Sequence, residues 1–198
     1  RDHVELEGAR DAQTRDAQQF LRDQSRTGQP FILFLSLGPP HFPFDSAPKE
    51  LQALFPPEKI RLPANVPPEM QDAARKSAQG YYAHMLAVDQ CIGDLMATLS
   101  DTGLAKNTIV VFSSDHGETL GSHGVRPANK QAAWRDSAGV PFLMRIPGVK
   151  GRAVKTPITT TDVLPTLLGL VGVAIPSSVE GEDLSRLIRA RRDGDRAA

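Results

Sequence analysis

Residues 108–124, with the sequence TIVVFSSDHGETLGSHG, constrain the fold of this chain more than any other segment. The apolar, β-branched run at residues 109–112 predicts a buried strand. The chain leaves that strand through two serines and reaches Asp115, His116 and Gly117. In open α/β sheets ligands collect at the carboxyl ends of strands, and carboxylate oxygens and imidazole nitrogens both bind divalent metals. The segment therefore predicts a strand that ends in a metal-binding loop.

Two further apolar runs, at residues 31–37 and 140–146, also predict strands. The Pro-rich stretch at 45–68 predicts a surface segment with little regular structure. Apolar side chains at three- and four-residue spacing predict helices at residues 9–26, 68–100 and 159–170. Strands that alternate with helices favour an α/β fold, with a mostly parallel sheet and helices on both faces.

The composition argues against several kinds of partner. Lys+Arg and Asp+Glu both number 23, so neither nucleic acid nor an anionic membrane surface is indicated. No apolar run approaches the ~20 residues of a membrane span. The single Cys91 excludes an internal disulfide and leaves the compartment open. We expect one domain over residues 1–198, with an arginine-rich tail at 186–198 that frays.

Four polar residues are expected at strand ends or in the adjoining loops. His41 follows the strand at 31–37 in a loop that three prolines stiffen. Asp115 and His116 can bind a metal, whereas Lys130 and a protonated His41 can neutralise an anion. A metal together with cations is how enzymes stabilise charge that develops on phosphoryl or sulfuryl oxygens.

Each of these residues also has a purely structural interpretation. A histidine between prolines, such as His41, is commonly a surface or packing residue. Asp115 to Gly117 is also a typical turn composition, and Lys130 resembles any solvated lysine. Metal binding is the preferred interpretation of Asp115 and His116 because they follow a buried strand directly. We interpret His123 as a loop residue, and no partner for His84 is evident.

Six features occur in order along the chain: PPHFPF (39–44), YYAHMLAVDQCIGDLMATL (81–99), NTIVVFSSDHGETLGSHG (107–124), Lys130, GVPFLMRIPG (139–148) and TTDVLPTLLGLVGVAIP (160–176). In this order and spacing they resemble the sulfatase family of the alkaline-phosphatase-like superfamily. The resemblance covers residues 30–185, which is most of the chain.

The resemblance implies a role for each candidate residue. Asp115 corresponds to the family's carboxylate metal ligand, and His116 takes the adjacent position, where the family carries Asn or His. Lys130 corresponds to the lysine that contacts the sulfate and the nucleophile. His41 corresponds to the histidine that binds the sulfate and protonates the leaving oxygen. The implied metal is calcium, with manganese or zinc as alternatives because imidazole is a softer ligand. The implied substrate is a small-molecule or glycan sulfate ester.

The chain also departs from the family pattern. Family sulfatases use a formylglycine made from a cysteine or serine in Cys/Ser-x-Pro-x-Arg, a motif that this sequence lacks, and Cys91 precedes Ile92, Gly93 and Asp94 instead. The family's paired acidic ligands and its other sulfate-binding Lys and His are missing too. We therefore expect an alkaline-phosphatase-like fold that is incomplete at its amino-terminal side. The isolated piece is expected to be inactive, with an exposed sheet edge that favours a partner or an oligomer.

Two alternatives stay open. A phosphonate monoester or phosphodiester hydrolase of the same superfamily shares the Asp-His pair and the lysine. A non-catalytic, truncated relic would instead bind a partner through the exposed edge. By resemblance the protein is periplasmic or extracellular, and the sequence itself does not distinguish these locations from the cytoplasm.

Overall fold

A computed structural model of the chain describes residues 12–131 and 133–190. Its helices are α1 (Ala12–Thr27), α2 (Lys49–Gln52), α3 (Gln71–Asp101), α4 (Arg135–Ala138), α5 (Thr160–Val171) and α6 (Ser185–Arg189), and its strands are β1 (Val110–Ser113) and β2 (Phe142–Arg145). The chain divides into two compact units, one that ends at Pro147 and one that begins at Gly148.

Helix α3 organises the first unit. It packs against α1, against α2 and against the single helical turn at Phe44–Ser46. Several of the most completely buried residues of α3 are small, which allows close approach: Ala74, Ala78, Gly80, Ala83 and Ala87. The helix predicted at 68–100 is thus confirmed. Val88 and Leu99 are buried, whereas Met85 is exposed.

The helix predicted at 9–26 is confirmed as α1 over its described part, since residues 9–11 lie outside the described residues. It ends at Thr27, where Gly28 takes a positive φ of 66° and its N–H bonds to the Gln24 carbonyl at 3.0 Å. The Pro-rich stretch at 45–68 forms only short helical turns, close to the expected irregular surface segment.

The described sheet consists of β1 and β2, which run antiparallel with Val110 opposite Arg145 and Ser113 opposite Phe142. The strands predicted at 109–113 and 140–146 are therefore confirmed, but this pairing differs from the expected mostly parallel arrangement. Antiparallel pairing requires only that the chain turn back on itself, whereas parallel pairing requires a crossover.

The strand predicted at residues 31–37 is wrong for this chain, because no strand is formed there. Ile32 and Phe34 are 82% and 88% exposed. A strand needs a neighbour for its backbone N–H and C=O groups, and no described segment pairs with this one.

In the second unit, the helix predicted at 159–170 is confirmed as α5. Thr159 and Asp162 form a capping box at its start, and Gly172, with a φ of 74°, ends it. The tail expected to fray, 186–198, begins inside helix α6, and residues 191–198 lie outside the described residues. Among the helices that the structure describes, none combines the length and the apolar character that a bilayer span requires.

Candidate active site

The loop after β1, residues 114–119, is called here the Asp115 loop, and it presents Asp115 and His116 side by side. Asp115 Oδ2 lies 3.5 Å from His116 Nε2. The other ring nitrogen, Nδ1, lies 2.8 Å from the Gly117 carbonyl oxygen. A carbonyl oxygen only accepts hydrogen bonds, so Nδ1 carries the proton of the neutral ring. The Nε2 lone pair therefore faces the Asp115 carboxylate, and the two can hold one cation between them.

The Asp115 carboxylate is stabilised in its charged form. Burial acts to raise its pKa, but the electrostatic interaction with the His116 ring and the hydrogen bonds from the backbone N–H groups of Asp115 and His116 lower it, as does the Ser114 hydroxyl, so the pKa lies below its usual value. Oδ1 accepts hydrogen bonds from the His116 N–H at 3.0 Å and from the Ser114 hydroxyl at 3.3 Å. Asp115 is thus ionised at neutral pH, as a metal ligand must be.

Ser137 ties the Asp115 loop to the segment that carries Lys130. The Gly117 N–H donates to the Ser137 carbonyl at 2.7 Å, and the Ser137 hydroxyl donates to the Lys130 carbonyl. A third link runs from the Thr119 hydroxyl to the Asn129 carbonyl at 2.9 Å. Ser137 is buried, so water does not compete for these bonds. The backbone of Lys130 therefore belongs to the same loop cluster as Asp115 and His116.

His41 lies in a second loop, residues 38–46, called here the His41 loop. The His41 ring is exposed, stacks on Phe42 with ring centroids 4.8 Å apart, and places Nδ1 2.7 Å from the Phe42 carbonyl oxygen. No hydrogen bond or ion pair within 12–131 and 133–190 joins its side chain to Asp115, His116 or Lys130.

The connection between the two loops runs through Tyr81 of α3. The Tyr81 ring meets the buried Phe44 ring edge to face at 5.9 Å. Burial raises the pKa of Tyr81, and the charge of Glu118, followed by that of Tyr82, raises it further. Tyr81 therefore lies within electrostatic range of Glu118, two residues beyond His116, and it remains a protonated donor at neutral pH. Helix α3 thus contacts the His41 loop through Tyr81, whose hydroxyl is also influenced by the charge of Glu118 in the Asp115 loop.

Sequence reasoning missed the residues that position these loops. His84 is buried, and its Nε2 lies 3.2 Å from the Ser46 hydroxyl and 3.5 Å from the Pro43 carbonyl oxygen. For Ser137 the sequence carries no signal beyond its position seven residues after Lys130.

The described residues do not complete a metal site. Asp115 and His116 supply one carboxylate and one imidazole, which suit manganese, zinc or calcium. Within 12–131 and 133–190, no group of three or more His, Cys, Asp or Glu side chains is placed to hold an ion. Zinc takes three or four protein ligands and calcium six to eight oxygens, so further ligands are needed.

Comparison with known proteins identifies the family. The family model described as Sulfatase matches residues 6–173. The chain is 48% identical over 177 residues to the ulvan-active sulfatase of Formosa agariphila, a match that covers 88% of this chain and 35% of that protein. The solved structure of the sulfatase-like protein YidJ from Bacteroides fragilis matches with a TM-score of 0.82 and 30% identity, over 91% of this chain and 41% of that one.

The phosphonate monoester hydrolase SpPMH of Silicibacter pomeroyi also matches, with a TM-score of 0.76 and 26% identity, over 90% of this chain and 42% of that one. The chain thus spans about a third to two-fifths of the length of these proteins. The likeness to the solved structures confirms the alkaline-phosphatase-like α/β fold class. With the family model covering most of its length, the chain belongs to the sulfatase family.

Proposed function

We propose that the protein containing this chain hydrolyses a sulfate ester of a glycan, with a divalent metal and with a nucleophile from residues outside these 198. The observation that carries the proposal is the Asp115–His116 pair, which presents a carboxylate and an imidazole lone pair to one point. The 48% identity to an ulvan-active sulfatase supports the sulfate ester and the glycan.

Asp115 and His116 are two ligands of the metal in this proposal, and the remaining ligands lie outside the chain. Calcium is the first choice, with manganese and zinc as alternatives because of the His116 nitrogen. When bound, such an ion supplies positive charge for the sulfuryl oxygens. The Nδ1 hydrogen bond to Gly117 fixes the His116 ring, so that Nε2 faces the ligand position.

Lys130 and His41 act on the sulfate group itself. The Lys130 ammonium neutralises sulfate oxygens, and its segment is held beside the Asp115 loop by the Ser137 hydroxyl. His41 binds the sulfate and donates a proton to the oxygen of the departing alcohol. The formylglycine that attacks sulfur is expected outside this chain, because the sequence has no Cys/Ser-x-Pro-x-Arg motif.

Asp115→Asn in the whole protein tests the proposal. It keeps the shape of the side chain but removes the charge, so release of sulfate should fall by about 10²-fold or more. Asp89→Asn, at an exposed carboxylate on α3, is the matched control and should retain wild-type activity. Metal content, measured on both purified variants, should fall only in Asp115→Asn. Full activity in a folded Asp115→Asn variant would contradict the proposal.

A phosphonate monoester or phosphodiester hydrolase is the second candidate, supported by the likeness to SpPMH. The Asp-His pair and the lysine suit either chemistry, because both reactions develop charge on non-bridging oxygens. Values of kcat/KM for an aryl sulfate, an aryl phosphonate monoester and a phosphodiester distinguish them. Preference for the sulfate by at least tenfold supports the sulfatase, and the reverse order supports the second candidate.

A further inference from the structure

Trp134, the single tryptophan of the chain, forms a flat aromatic surface with His123. Their ring centroids lie 4.1 Å apart and their planes differ by only 6°. Trp134 is nevertheless 48% exposed. His123 covers one face of the indole, so the exposed area belongs to the opposite face and the ring edge. A large, flat apolar face is therefore open to solvent beside a fixed imidazole.

Asp136 borders this aromatic pair. Its Oδ2 lies 3.3 Å from His123 Nε2, which holds the imidazole in register with the indole. No hydrogen bond to its other oxygen, Oδ1, is found among the residues that the structure describes. The carboxylate therefore presents unused acceptor positions at the edge of the aromatic surface.

The Trp134–His123–Asp136 cluster lies directly against the Asp115 loop. A Cβ on Gly117 would meet the Asp136 carbonyl oxygen at 2.0 Å, and the adjacent Ser137 carbonyl accepts the Gly117 N–H. These backbone contacts hold the main chain at Asp136 and Ser137 against the Asp115 loop. The side chains of the cluster are held by the stack of His123 on Trp134 and by the contact between His123 and Asp136. A substrate held at the sulfate site can extend onto the cluster.

We propose that Trp134, His123 and Asp136 form a subsite that binds an uncharged pyranose ring next to the sulfated one. The face of an aromatic ring is negatively polarised and attracts the positively polarised C–H groups on the apolar side of a sugar. Asp136 Oδ1 accepts a hydrogen bond from a hydroxyl of the same ring. This subsite rests on the proposed function and extends it, since it assigns an oligosaccharide rather than an isolated aryl ester as substrate.

A small organic cation is the other ligand that an aromatic face beside a carboxylate attracts. The sugar is the preferred ligand because it uses both features of the cluster, with its C–H face on the indole and a hydroxyl on Asp136 Oδ1.

The test compares two substrates in the whole protein, a sulfated oligosaccharide and a small aryl sulfate. Trp134→Ala should raise KM for the oligosaccharide about tenfold, the loss typical of one well-placed aromatic contact, and leave the aryl sulfate kinetics unchanged. Trp134→Phe retains an aromatic face and should recover part of the loss. Leu54→Ala, which truncates an apolar side chain that is 62% exposed, is the control and should leave the kinetics of both substrates unchanged.

A binding measurement separates this subsite from the proposed function. Calorimetric titration with the same oligosaccharide after desulfation should show binding that Trp134→Ala weakens about tenfold. If the protein binds this sugar through Trp134 but hydrolyses no sulfate ester, the proposed function fails and the subsite stands. The subsite would be overturned if Trp134→Ala lost activity equally on the oligosaccharide and the aryl sulfate, or if it left KM for the oligosaccharide unchanged. Binding of tetramethylammonium at Trp134 in place of the sugar would also overturn it.

Discussion

The His41 loop and the Asp115 loop are held in place by different kinds of contact. Backbone hydrogen bonds hold the Asp115 loop: β1 pairs with β2 before it, and the Gly117 N–H bonds to the Ser137 carbonyl within it. Helix α3 holds the His41 loop, through the His84 ring near the Pro43 carbonyl and through a close approach of the helix backbone to Phe44.

The apolar segments that precede the two loops also differ, in strand pairing and in burial. Residues 109–113 are largely paired and partly buried, whereas residues 31–37 form no strand and expose Ile32 and Phe34. The His41 loop therefore takes its conformation from α3, without a paired strand before it. Changes at Gly80 or His84 of α3 should therefore disturb His41, and loss of the bond between Gly117 and Ser137 should disturb Asp115 and His116.

Gly117→Ala should give the largest structural effect. It should change the conformation of the Asp115 loop and leave the His41 loop unchanged. The new Cβ would lie 2.0 Å from the Asp136 carbonyl oxygen and 3.0 Å from its carbon. Both atoms belong to the backbone, so the loop itself must move and the bond to Ser137 is lost. We expect the free energy of unfolding to fall by about 2–3 kcal/mol, at the upper end of typical overpacking costs, as measured by urea denaturation.

Gly38→Ala is the matched control for this substitution. Gly38 lies in the His41 loop, and a Cβ there would meet nothing within 4 Å. Its unfolding free energy should stay within about 0.5 kcal/mol of the wild-type value. Equal losses in the two variants would show that the Asp115 loop does not depend on its backbone contact.

Gly80→Ala should give the next largest effect, on the His41 loop. A Cβ on Gly80 would lie 2.1 Å from the Phe44 carbonyl oxygen. The cost of this clash is partly offset because alanine favours a helix over glycine by about 0.5–1 kcal/mol. We therefore expect a net loss of about 1–2 kcal/mol, together with a shift of the His41 ring signals in NMR spectra.

Gly93→Ala, in the same helix, is the control that separates the effect of the clash from the higher helix propensity of alanine. Nothing lies within 4 Å of a Cβ at Gly93, so this variant should be more stable than wild type by about 0.5–1 kcal/mol. A stabilised Gly80→Ala variant with unchanged His41 signals would contradict the role of α3 in supporting the His41 loop.

How far the sequence predicts the fold depends on whether the signal is local. Apolar spacing located α1, α3 and α5. Residues 31–37 and 109–113 carry nearly the same apolar pattern, yet only the second forms a strand. The difference lies in a partner strand, β2, about 30 residues further along the chain, which no local pattern specifies.

The same limit applies to the candidate site. Asp115 and His116 are neighbours in sequence and follow a strand, so their pairing could be predicted. The association of Lys130 with them depends on the Ser137 hydroxyl, a contact between backbone and side chain that has no periodic signature. The support of the His41 loop likewise depends on His84, whose partners lie about 40 residues earlier in the chain.

His84→Gln should give the smallest effect, a change in how the free energy of unfolding depends on pH. It tests whether the neutral His84 ring supports the His41 loop. Burial lowers the pKa of His84, and the hydrogen bond to the Pro43 carbonyl only partly opposes this. Its Nδ1 is buried with no hydrogen-bond partner among the described residues. The folded protein therefore resists protonation of this ring more than the unfolded chain does.

The stability that neutral His84 contributes is complete above the unfolded pKa of about 6.5 and is lost as pH falls toward the lower folded value. Between pH 7 and pH 5, the unfolding free energy of the wild type should therefore fall more steeply than that of His84→Gln, which cannot titrate. The slopes should differ by at most about 1.4 kcal/mol per pH unit, the limit for one proton. Parallel pH profiles for the wild type and His84→Gln would mean that burial does not keep this ring neutral, and α3 would then hold the His41 loop through the Gly80–Phe44 contact alone.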